Sequence, residues 1–77
     1  MTQINLRQLS LGQKASIARI NAEGELGRRI RDMGLTPGAC VEVVGRAPLR
    51  DPVALRIEGT TIALRNSEAD YIIVEAE

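Results

Sequence analysis

The sequence predicts a mostly-β domain, a small five-stranded barrel with one α-helix between its first two strands. Three observations carry this. Short runs of alternating apolar residues recur along the 77 residues. Tight-turn signals separate them, and a single stretch, 22–34, has a helical period. A sheet of short strands has exposed edges, and curling it into a barrel hides them.

The elements follow in order. Asn5 precedes Leu6, Arg7, Gln8 and Leu9 and can cap a short helical turn. Leu6 and Leu9, three apart, would point the same way, and Gly12 ends the turn. "KASIARI" (14–20) reads as a strand anchored by Ile17 and Ile20, although its alternation is imperfect. "AEGELGRRIRDMG" (22–34) reads as a helix, with Leu26, Ile30 and Met33 forming one apolar stripe. Glu25 and Arg29 are four apart, as are Arg28 and Asp32, which supports the helix through side-chain pairing. Glu23 and Glu25 lie at the end where the helix dipole favours acids. Gly34 suits the left-handed position after the last turn, while Gly24 and Gly27 weaken the first.

"TPG" (36–38) fits a type II turn with Pro37 second and Gly38 third. "CVEVVGR" (40–46) is a strand with Val41 and Val43 on one face and Glu42 on the other. In "VALRIE" (53–58), Val53, Leu55 and Ile57 face in, and Arg56 and Glu58 face out. "EG" (58–59) turns the chain into "TTIAL" (60–64). "NSEAD" (66–70) is one helical turn capped by Asn66, and "YIIVE" (71–75) is the last strand. Strand number and length fit a partly open SH3-like barrel spanning residues 1–77 as a single domain.

Composition narrows the function. A hydrophobic fraction of 44% and a charged fraction of 26% are those of a globular chain. Tyr71 is the only aromatic residue, so the core must be aliphatic. The lone Cys40 excludes an internal disulfide and fits a reducing compartment. Its place beside valines suggests a packed thiol. No leader segment and no apolar run near the ~20 residues of a membrane span is visible, which points to the cytoplasm.

Ten basic and ten acidic residues give zero net charge, against the basic excess of a dedicated nucleic-acid binder. With no histidine, the commonest general base and metal ligand are missing. Glu23, Glu25, Asp51, Glu68 and Asp70 do not form the dense acidic loop of a calcium site. "GRAPLRDP" lacks the glycines and lysine of a P-loop. Neither enzyme machinery nor a resident cofactor or metal is expected.

Two features remain. Arg28, Arg29 and Arg31 cluster on the predicted helix. They read either as surface charge paired with the helix's own acids or as a docking face for an acidic partner. The second feature is the loop Ala47, Pro48, Leu49, Arg50, Asp51 and Pro52. Each proline holds the residue before it extended and lacks an amide donor, so the loop resists sheet pairing. Leu49 either plugs one end of the barrel or meets a partner. A stiff loop loses little entropy on binding.

Taken in order, these pieces resemble the FeoA family of ferrous iron transport proteins. The residues that carry the resemblance are "MGLTPG" (33–38), Val41 to Val44, "APLRDP" (47–52), Leu64-Arg65, Glu68-Ala69 and Ile72 to Val74. At Arg50 the family usually has glycine. The resemblance implies a cytoplasmic, non-enzymatic accessory protein. Its partner would be FeoB, the membrane ferrous transporter with a cytoplasmic GTP-binding domain, and it would meet the membrane only through that partner. Similar domains close metal-dependent repressors of the diphtheria toxin repressor type. The alternative is therefore a stand-alone regulatory domain binding metal or nucleic acid. An exposed barrel edge also leaves pairing with a second copy open.

Overall fold

The computed structural model describes residues 2–46 and 51–76. It shows six antiparallel strands in one sheet: β1 Thr2–Asn5, β2 Lys14–Ile20, β3 Cys40–Arg46, β4 Val53–Ile57, β5 Thr60–Leu64 and β6 Ile72–Ala76. Helix α1 spans Gly24–Asp32 and the short α2 spans Asn66–Ala69. The strand order is β1-β6-β2-β3-β4-β5, so β6 is inserted between the first two strands.

The expected five strands are therefore six, and the helix lies between the second and third. The additional strand is β1, "TQIN". Its side chains are mostly polar and half-exposed, so no alternation marks it. Backbone pairing with β6, from Thr2↔Ala76 to Asn5↔Ile73, makes it a strand. α1 is also shorter than the 22–34 stretch suggested, ending at Asp32 with Met33 as its cap.

Inward residues of the strands meet in one aliphatic core of Ala15, Ile17, Val41, Val43, Val53, Leu55, Ile57, Leu64, Ile72 and Val74. Leu6 and Leu9 enter it together from the opening 3-10 turn. Asn5 holds that turn: its Oδ1 accepts the Arg7 N–H (2.9 Å), and Gln8 Oε1 accepts the Asn5 N–H (2.9 Å).

The imperfect alternation of β2 has a structural cause. Ile17 pairs with Val74, Arg19 with Ile73 and Ile20 with Ile72. Ala18 is the extra residue of a bulge, so isoleucines three apart both oppose inward residues of β6.

α1 ends in a Schellman motif. The Gly34 N–H reaches Arg31 O (2.9 Å) and the Leu35 N–H reaches Ile30 O (3.4 Å), with Gly34 at φ 92°. Ile30 and Leu35, both fully buried, supply the apolar contact of this cap. The next turn is as expected, with the Ala39 N–H on Thr36 O at 3.0 Å. Gly27 has a different task. A Cβ there would lie 2.5 Å from the Ala22 carbonyl oxygen. Gly27→Ala is thus expected to destabilise by about 1–3 kcal/mol through overpacking, although helix propensity alone favours alanine. A higher urea midpoint for this variant would refute the close approach.

Cys40 is exposed, not packed. With Val41 and Val43 committed to the core, the period of two places Cys40 and Glu42 on the outer face. Tyr71 precedes β6 and is exposed, which leaves the core wholly aliphatic.

Candidate functional site

Of the loop, Ala47, Pro48, Leu49 and Arg50 lie outside the described residues. Asp51 and Pro52 are described; both are exposed and joined by a cis peptide bond. Asp51 Oδ1 accepts the Asn66 N–H at 3.0 Å, at the start of α2. Asp51 is thus tied to the start of α2.

Glu68 on α2 is buried, with 6% of its surface exposed. Its Oε1 accepts the Arg65 N–H at 3.2 Å. Its Oε2 faces Arg29 Nε on α1 at 3.4 Å. That contact is an ion pair by distance but not aligned as a hydrogen bond, so Oε2 has no hydrogen-bond partner. α2 therefore contacts both Asp51, through Asn66, and Arg29 of α1, through Glu68.

The three arginines are not equivalent. Arg28 and Arg31, three apart, share one side of α1 and are exposed. Arg29 turns to Glu68 rather than to Glu25, its partner four residues earlier. Among the described residues, the other ion pair is Arg7–Asp70 (2.8 Å), which ties the opening turn to the end of α2. About two-thirds of the Arg29 side chain is open to solvent (66%), so its pair with Glu68 is screened. Arg29→Ala should cost about 0.5 kcal/mol, and a double-mutant cycle with Glu68→Gln should recover that coupling. A coupling of zero would make Arg29 free surface charge like its neighbours.

Two features escaped the sequence reading. Leu11 is exposed at 67%, on the turn closed by Gln13 N–H to Ser10 O (2.9 Å) and fixed to β3 by Gly12 N–H to Val43 O (2.7 Å). It belongs to no periodic stripe, and only the turn itself signals it. The second is an open groove of about 420 Å³ lined by Lys14, Cys40, Val41, Glu42, Arg56, Glu58 and Gly59. Lys14, Glu42 and Arg56 stand side by side across β2, β3 and β4 and alternate in charge. Each strand's alternation predicts an outward residue, but only the register aligns the three. Among the described residues, no group of three or more His, Cys, Asp or Glu side chains could hold a metal ion. No helix there is long and apolar enough to cross a membrane.

One antiparallel sheet folded on an aliphatic core, with α1 and the short α2 beside it, defines a small SH3-like domain. The FeoA domain family matches residues 4–76, and the chain belongs to that family. It is 40% identical over 72 residues to an Fe(2+) transport protein A/Fe(2+) transporter FeoB fusion protein of Porphyromonas gingivalis, covering 94% of this chain and 8% of that one. The chain thus spans a small part of that relative's length. The fold matches iron(II) transport protein A of Clostridium thermocellum with a TM-score of 0.91 at 41% identity, over 95% of this chain and 45% of that one. It also matches FeoA of Stenotrophomonas maltophilia complexed with zinc, described as a procaryotic SH3 domain protein. There the TM-score is 0.81 at 29% identity, over 94% and 89% of the chains. A manganese-dependent transcriptional repressor shares the fold alone, at 21% identity.

Proposed function

We propose that this chain is a non-enzymatic, cytoplasmic accessory protein of ferrous iron uptake that binds the cytoplasmic GTP-binding part of a FeoB-type transporter. The loop 47–52, with Leu49 and Arg50 at its tip, makes the contact. Arg28 and Arg31 steer an acidic partner, and Arg29 stays with Glu68. The observation that carries this reading is the Porphyromonas gingivalis relative, in which a similar segment is joined to a FeoB transporter in one chain. The two prolines that bracket the loop in sequence and the exposed pair of arginines support it.

The test is a tagged pull-down from gently solubilised cells, identifying bound protein and nucleic acid. Recovery of a ferrous transporter is expected, and its loss on Leu49→Asp assigns the contact to the loop. Recovery of nucleic acid without a membrane protein would overturn the proposal in favour of a regulatory domain. Arg28→Glu with Arg31→Glu should slow association without changing the melting temperature, because steering charges act on the encounter rate.

A further inference from the structure

β5 is an outer strand that pairs with β4 alone. Natural sheets protect such edges with charge, proline or a bulge. "TTIAL" contains neither charge nor proline, and its register runs unbroken from Ile57↔Thr60 to Val53↔Leu64. The two-residue turn Glu58–Gly59, with φ 48° and 84°, makes Ile57 and Thr60 a hydrogen-bonded pair. Such pairs alternate along an antiparallel ladder, so Thr60, Ile62 and Leu64 bond to β4. Thr61 and Ala63 then direct their N–H and C=O groups outward. Both residues are exposed, and among the described residues no hydrogen bond reaches those outward groups. The edge stops at Arg65, whose N–H is held by Glu68.

We propose that this edge pairs antiparallel with the same edge of a second copy of the chain, on a twofold axis through Ile62. In that register Thr61 lies opposite Ala63 of the second copy, and Ala63 opposite its Thr61. Every outward donor and acceptor is satisfied. Ile62 meets its own equivalent as a non-hydrogen-bonded pair, where side chains come closest. Sliding the strands by two residues would set an outward group against Arg65, whose amide is already bonded, or against Gly59 of the turn.

Charge agrees with this register. Gly59 faces Arg65 of the second copy, which brings Glu58 beside that arginine at both ends, and no like charges oppose. The other outer strand is less suited, because the Asn5 N–H of β1 is bonded to Gln8 and the chain turns at once. One strand pair buries less than the ~1,000 Å² of a firm interface, so the dimer is weak and depends on concentration.

Sedimentation equilibrium over a concentration series, with hydrogen exchange at both extremes, tests the proposal. The mass is expected to rise towards that of a dimer, and the Thr61 and Ala63 amides to gain protection as it does. Ala63→Pro removes an outward donor without touching β4 and should weaken association about tenfold or more. A monomer throughout the series would overturn the proposal. So would a dimer whose Thr61 and Ala63 amides exchange as freely as in the monomer, since another face would then be pairing. The exchange readout uses the unaltered chain and holds even where the proline variant fails to fold.

Discussion

Replacing Leu55 with alanine is expected to remove about 2–5 kcal/mol of folding stability. Leu55 is fully buried at the centre of β4, between Val43 of β3 and Ile62 of β5. The loss combines the transfer term of the deleted carbons with the cavity left behind, because flanking strands cannot close over it. A chain of this size has about 4–12 kcal/mol in total. The variant should therefore unfold at a much lower urea midpoint, with an unchanged slope. A midpoint shift worth less than about 1 kcal/mol would mean that the core relaxes around the gap.

Leu49→Asp is expected to do the opposite. Stability should hold, and partner binding should fall by about thirtyfold or more, the loss typical of an interface anchor at ~2 kcal/mol. An aspartate would bring a charge into an apolar contact and oppose an acidic partner. Calorimetry against the soluble GTP-binding part of a FeoB-type protein, beside a thermal melt, separates the cases. Retained binding would move the contact elsewhere, with the exposed Leu11 the residue to test next. A large drop in melting temperature would show instead that Leu49 plugs the barrel. Two leucines six positions apart thus report on different properties of the molecule.

What could be read from sequence follows what is local. Gly34 closes α1, and Glu58–Gly59 makes the tight turn, because each rests on a few neighbouring residues. β1 was invisible because strand 72–76, far away in sequence, recruits it through the backbone. Cys40 was misread for a related reason: valine neighbours suggest burial, but alternation decides which face each residue takes. At the candidate site, the sequence singled out the arginines and the loop. It could not foresee that Glu68 draws Arg29 away from Glu25, or that Asp51 holds the start of α2. Those contacts depend on register and on the placement of a four-residue helix.

The insertion of β6 between β1 and β2 has a consequence for the order of assembly. A ribosome delivers β1 and β2 early, yet neither finds the neighbour that separates them until residues 72–76 emerge. The sheet must therefore close in one late step, after the β3–β4–β5 meander has formed from close sequence neighbours. Pairings of such long range fold slowly, so a premature stop before Ile72 would release a chain with β1 unpaired, one edge of β2 bare and the aliphatic core open.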